Sequence, residues 1–214
     1  MEEASGVVEA RRSAGRPTDV EKTREILEAA KRQFISHGFD GATIEAIAEE
    51  AGVSKVTVYK RFASKTRLFA AIARELVGGM EEAVAAVPAG SGELRDRLII
   101  CGFSLMKSVV CREIIAVDRL VALESERHPE LARALFDAGA RAALENLAEV
   151  LRGAGEETGL DLSDPRAVAE DLLSLWFGFE WEAIRLNVRE IPDEAWLRSH
   201  VERCVDTIRR AYRK

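Results

Sequence analysis

Cysteine is scarce. Cys101, Cys111 and Cys204 are the only three in a chain of 214 residues. They are too few and too widely spaced for a disulfide framework or a short-spaced zinc set. Three reduced thiols, at least two of them buried, are expected, with a redox sensor as the alternative. Histidine is equally rare, and His37, His128 and His200 stand too far apart in sequence to suggest a metal cluster. None has a persuasive partner for nucleophile–base chemistry, and no glycine-rich phosphate loop is visible, so the residues point away from an enzyme and call for no cofactor. No apolar run approaches the roughly 20 residues that span a bilayer. The opening MEEASGVVEARRSAG lacks a basic segment followed by a long apolar one, so it does not read as a secretory signal. A soluble, cytoplasmic chain with no membrane partner is expected.

Strand-like alternation is also missing. What the chain has instead is apolar residues, 47% of the total, recurring three and four apart, which is the helical period. The five prolines, at 17, 88, 129, 165 and 192, fall at or near the breaks. Net charge is −6, yet residues 10–75 carry 13 Lys and Arg against 9 Asp and Glu. A basic N-terminal third on an acidic body suits a chain in which one part meets phosphate and the other must not.

The first helix is expected over about 20–37, capped by Thr18 or Asp19, with Ile26, Leu27, Ala30 and Phe34 as its apolar stripe. His37-Gly38 ends it, the glycine in the left-handed cap conformation. A short helix follows from Thr43 to Glu50, a tight turn at Ala51-Gly52-Val53, and a third helix capped by Ser54 and running to about Phe62. Ser64 caps a fourth, which fades through Gly78-Gly79. The stretch 88–92, PAGSG, is the clearest linker. Beyond it, five helices are expected at about 92–109, 111–126, 129–153, 165–187 and 193–212. The fold is therefore all-α with about nine helices. It divides into an arm at 1–17, a small module at 18–87 and a larger body at 88–214.

Residues 43–62, TIEAIAEEAGVSKVTVYKRF, form two short helices around a glycine-containing turn, as in a helix-turn-helix. Ala46, Ala48 and Ala51 are small where the helices touch, and Val53, Val58 and Phe62 anchor the second helix. Its outward face is then Ser54, Lys55, Val56, Thr57, Tyr59, Lys60 and Arg61, acid-free, basic and hydroxyl-bearing, as a DNA major groove accepts. Lys55 can donate to guanine edges, and Val56 and the Thr57 methyl can touch a thymine methyl. Tyr59 can donate to a phosphate. Thr43 and Lys65, at two helix N-termini, are placed for phosphate too. An ordinary helical hairpin with a solvated basic face fits the same two helices. The arm, with Arg11, Arg12 and Arg16, either follows the adjacent minor groove or is a solvated tail.

The longer pattern is more specific. The stretch ILEAAKRQFISHGFDGATIEAIAEEAGVSKVTVYKRFASKTRLFAAI resembles the DNA-binding domain of the TetR/AcrR family of repressors. The matching positions are Phe34, Gly38 and Phe39; Thr43, Ile47 and Ala48; Ala51, Gly52, Val53 and Ser54; then Tyr59, Phe62, Ser64, Lys65 and Leu68. Lys60-Arg61 stand where family members often carry tyrosine or histidine. The resemblance implies a three-helix DNA-binding domain joined by the fourth helix to a helical ligand-binding and dimerisation domain. It implies a homodimer on a near-palindromic double-stranded DNA operator, released by a small-molecule inducer. The stretch 126–151 looks like a recurrent C-terminal subtype of the family.

Candidates for an inducer pocket are Phe103, Met106, Val110, Leu120, Leu123, Phe136, Trp176 and Phe179, although such residues at helical spacing equally serve as plain core. A mostly apolar wall favours a hydrophobic or aromatic ligand. Arg119, Glu124, Asn146 and Glu180 are candidate polar contacts. Helix 165–187 is apolar nearly all round and needs cover on two sides. Leu172, Leu175, Phe179 and Ile184, with Val201 and Ile208 of the last helix, are the candidate dimer interface. A regulator that binds no ligand, or an activator, whose body only dimerises or contacts a protein, is the alternative.

Overall fold

The computed structural model describes residues 19–85, 93–154 and 158–214, with 77–85 as backbone. The N-terminal arm, the Thr18 cap and the 88–92 linker lie outside the described residues. Four helices make the N-terminal part: α1 (Asp19–Gly41), α2 (Ile44–Glu50), α3 (Lys55–Arg61) and α4 (Lys65–Ala85). The body holds α5 (Leu94–Val109), α6 (Arg112–Glu124), α7 (Pro129–Phe136), α8 (Ala142–Arg152), α9 (Pro165–Arg185) and α10 (Glu194–Ala211). A π-helical turn, Asp137–Arg141, joins α7 to α8, so the expected single helix at 129–153 is one helical run with a bulge. Among the described residues the runs number nine, as the periodicity predicts.

Helix starts follow the expected chemistry. Thr43 accepts a hydrogen bond from Ala46 N (3.1 Å), Ser54 from Thr57 N (3.1 Å) and Ser64 from Arg67 N (3.1 Å). Asp164 and Asp193 do the same for α9 and α10. Each satisfies a backbone donor that the first helical turn leaves free. Gly38 does take a positive φ of 74°, but its ψ is 174°. That region is open essentially to glycine alone and differs from the left-handed helical cap expected. The chain therefore kinks and continues helically through Gly41 instead of stopping at His37. α4 passes through Gly78 and Gly79 and ends at Ala85.

Two apolar cores form. The first gathers Phe34, Phe39, Ile47, Val58, Leu68 and Phe69 from α1–α4, and also Val117, Leu120, Val121 and Leu131 from α6 and α7. The second joins α5, α8, α9 and α10 through Leu98, Met106, Leu151, Leu172, Trp176, Val201 and Val205. α4 packs on α5 and α7, and α1 packs on α6. The fourth helix is thus not the single rigid tie between the two parts, because α1 carries its own side chains into the body.

Candidate DNA-reading face and ligand cavity

The turn between α2 and α3 depends on Gly52, whose φ is 64°. It lets the two helices meet over Ile44, Ile47, Ala48 and Val58, all buried. α3 then presents Lys55, Val56, Tyr59 and Lys60 to solvent, with Val56 61% exposed and Tyr59 45%. Exposed apolar and aromatic groups flanked by cations make an interaction face. Thr43 and Ser54 are exposed as well, each already holding its own helix start. Ser54 and Thr57 also share a hydroxyl–hydroxyl bond of 2.8 Å. Lys55 pairs with Glu45 of α2, and its ammonium lies 5.8 Å from the Tyr59 ring centroid. The Glu45 carboxylate raises the pKa of Lys55 above its ordinary value, and the Lys55 ammonium in turn lowers that of Glu45. Both groups are exposed, so a phosphate can compete for the lysine at little cost.

Two sequence candidates are employed elsewhere. Arg61 turns away from the exposed face of α3, pairing with Asp19 and donating to Thr23 Oγ1 (2.8 Å) at the start of α1. Its side chain is only 18% exposed. Lys65 donates to the carbonyls of Asp40 (3.3 Å) and Ala42 (3.1 Å) and lies over the Phe39 ring. A cation there complements the negative end of α1.

The body holds a half-open cavity of about 760 Å³. Its wall runs from Leu105 and Val109 of α5 to Ile114, Asp118 and Val121 of α6, along α7 and the π turn, and closes on Leu173, Phe177 and Trp181 of α9. A neighbouring hollow of about 580 Å³ shares Phe136, Arg141, Leu173 and Phe177 and reaches Gly178. Gly178 kinks α9 with φ 20° and ψ −128°. Just before the kink, the carbonyls of Leu175 and Trp176 accept from Cys204 Sγ (3.5 Å) and His200 Nε2 (2.9 Å) of α10. The π turn borders the cavity and the Gly178 kink borders the neighbouring hollow, and π-bulges recur at functional sites.

Of the sequence-predicted pocket residues, only Phe136 lines this cavity. Met106 and Trp176 are fully buried in the second core, and Leu120 belongs to the first. Val110 packs with Ile115 and Ile184. Phe103 lies under Arg198 and Lys107, while Leu123 and Phe179 are 82% and 86% exposed. The error is one of helical phase. On α9 the rows Leu172–Trp176 and Leu173–Phe177–Trp181 are both apolar, and only packing decides which faces the hollow. The polar candidates are engaged elsewhere too. Arg119 donates to Arg185 O (2.7 Å), Glu180 pairs with Arg189, and Asn146 is not in the wall. Two carboxylates do line the cavity, Asp137, which pairs with Arg141 (2.8 Å), and Asp118. Asp118 Oδ2 is buried without a hydrogen-bond partner, 3.9 Å from Arg185 Nε. Burial raises its pKa above the ordinary value, opposed by the Arg185 charge.

The predicted dimer residues also divide. Leu172, Ile184, Val201 and Ile208 are interior to the single chain, so they are not free to meet a partner. Leu175 and Phe179 are exposed, as are Leu186 and Val188 beyond them. The cysteines are unpaired, with Cys101 and Cys204 buried. Burial pushes all three thiols up, Cys101 to about 11, which keeps them poor nucleophiles and argues against a redox sensor.

An exposed α3 held over α2 by a glycine turn, on a helical body with an apolar cavity, defines a helix-turn-helix transcriptional regulator. Two family models match: bacterial regulatory proteins, tetR family, over residues 26–72, and the AefR-like transcriptional repressor C-terminal domain over 96–214. The chain belongs to the TetR family of transcriptional regulators, a non-enzymatic class. It is 35% identical over 125 residues to an HTH-type transcriptional regulator of Mycobacterium tuberculosis, a match taking in 55% of this chain and 57% of that one. The chain thus spans less than two thirds of that relative. Its fold is similar to that of a TetR-family regulator from Mesorhizobium loti (TM-score 0.79, 25% identity, 92% of this chain and all of that one). It is also similar to the flavonoid-responsive regulator FrrA (TM-score 0.72, 28% identity, 91% and 98%). Among the described residues no helix is long and apolar enough to cross a membrane.

Proposed function

We propose that this chain is a homodimeric repressor that leaves a near-palindromic operator when an apolar or aromatic small molecule enters the α5–α9 cavity. The cavity carries this reading: about 760 Å³, walled chiefly by apolar side chains, and bordered by α6 and α7, the helices on which α1 and α4 rest. Its size is that of a drug-sized ligand site. A ligand that prefers one arrangement of α6 and α7 biases the pose of the DNA-reading helices by that preference and no more. The similarity to FrrA, a flavonoid-responsive protein, favours an aromatic occupant. On α3, Lys55, Val56, Thr57 and Tyr59 are the proposed base and phosphate contacts, supported by Lys60, Thr43 and Ser54. Arg61 and Lys65 act by holding α1 against the motif. The exposed apolar run of Leu175, Phe179, Leu186 and Val188 is the proposed two-fold interface, with the arm at 1–17 as an additional DNA contact.

Leu173→Trp tests the cavity. The indole fills space between α6 and α9, so the variant should bind operator as the parent does while a library of planar hydrophobic compounds no longer raises its melting temperature. Compounds that stabilise parent and variant equally place the ligand elsewhere. Analytical ultracentrifugation of Phe179→Glu tests the dimer, and an unchanged dimer rejects that face.

A further inference from the structure

One side-chain constellation has no part in the DNA-reading face or the cavity. Asp40 lies just past the Gly38 kink of α1, Glu124 ends α6, and His128 precedes α7. Asp40 and His128 are 88 positions apart. The fold nevertheless brings a ligand atom of each of the three within 4.8 Å of the other two. His128 Nε2 is 2.8 Å from Asp40 Oδ1. Its other ring nitrogen, Nδ1, is 3.4 Å from Glu130 Oε1. A carboxylate beside Nδ1 is placed to hold the Nδ1 proton once Nε2 ligates, as in carboxylate–histidine–metal sites. Phe39 packs edge-on to the imidazole, with centroids 4.7 Å apart, which fixes the ring plane. Gly38 admits Glu124, since a Cβ there would meet Glu124 Oε1 at 3.3 Å. Three carboxylates thus surround one imidazole. Two cations touch the cluster: Arg127, 3.7 Å from Asp40 Oδ2, and Lys65, bound to the Asp40 carbonyl.

We propose that Asp40, Glu124 and His128 bind a divalent transition-metal ion that staples the DNA-binding helices to the body. One imidazole and two carboxylates suit borderline ions such as Zn²⁺ or Co²⁺, with water completing the coordination. Ligand atoms around a tetrahedral ion stand about 3.3 Å apart, so side-chain rotation alone closes the set. The ion takes the place of the Nε2 contact with Asp40; the ring then carries its proton on Nδ1, beside Glu130, and releases one to solvent only where it entered as imidazolium. Metal-bound chain has α1 tied to α6 and α7 by bonds as well as by packing.

Tag-free, chelator-stripped full-length protein titrated with Zn²⁺ by calorimetry should bind one equivalent per chain at micromolar affinity or better. His128→Gln and Glu124→Gln should each weaken binding about tenfold or more, while keeping the parent's circular dichroism and metal-free melting temperature. Co²⁺ should give a visible spectrum of nitrogen and oxygen ligation without a thiolate charge-transfer band. Absence of binding at millimolar Zn²⁺ overturns the site. So does binding that survives both substitutions, or a thiolate band assigning the ion to the cysteines. Leu173→Trp should leave the titration unchanged, so the staple and the ligand cavity stand or fall separately.

Discussion

Gly102, in the middle of α5, offers a sharp test of how tightly the body is packed. A Cβ at this position would stand 2.7 Å from Trp176 Cε2 and Cζ2 and 2.8 Å from Val201 Cγ1. Ordinary carbon contacts are about 3.5–4.0 Å, so α5, α9 and α10 must part by most of an ångström. Neither neighbour has space to retreat, because Trp176 and Val201 are each 0% exposed. Forcing a methyl into such a site costs about 1–3 kcal/mol. Replacing glycine by alanine within a helix returns about 1 kcal/mol of backbone propensity. Gly102→Ala should therefore lose up to about 2 kcal/mol. Gly102→Val adds two more methyls and forgoes most of the propensity gain, so it should lose clearly more. Urea unfolding at fixed protein concentration measures both, with an unchanged slope showing that stability alone has moved. If Gly102→Ala instead gains the full 1 kcal/mol or so that propensity supplies, the three helices do not meet as described.

Two further substitutions separate roles that look alike in the sequence. Lys60→Ala should lower the salt dependence of operator binding by about one phosphate contact without altering the melting temperature. Arg61→Ala should lower the melting temperature by freeing the start of α1 and leave the salt slope as it was; the reverse pattern would restore Arg61 to the DNA face. Asp118→Asn should stabilise the chain at neutral pH. The folded carboxyl has a raised pKa, so its ionised form costs stability above that value, and the cost disappears as pH falls below the unfolded value. The melting-temperature gain of the amide should accordingly shrink on acidification, and a loss at neutral pH would show that Arg185 depends on the charge.

The DNA-reading motif was legible because each of its parts is local. Thr43 and Ser54 cap within three residues, Gly52 supplies its own φ, and Val58 and Phe62 sit on one face of one short helix. Arg61 was misplaced because a helical wheel assigns directions to Cβ atoms, whereas a long guanidinium reaches back to Asp19, 42 residues away. The cavity was hidden by α9, whose apolar residues on nearly every side leave the phase undetermined. The π turn at 137–141 shifts that phase again along α7–α8, and nothing in DAGAR announces it. The trio at Asp40 is the extreme case: three unremarkable positions that only the docking of α1 on α6 brings into one place.

That docking bears on how such regulators can be recombined. Val117, Leu120, Val121 and Leu131 complete a core that begins with α1, so residues of the body finish the interior of the DNA-reading half. A chimera cut within residues 88–92, carrying this reader on another family member's body, would inherit an interior with its far wall replaced. Grafts should succeed where the recipient's α6 and α7 present the same side chains to Phe34 and Phe39, and fail elsewhere whatever the length of the linker. The unit of exchange is therefore larger than the helix-turn-helix and discontinuous in sequence.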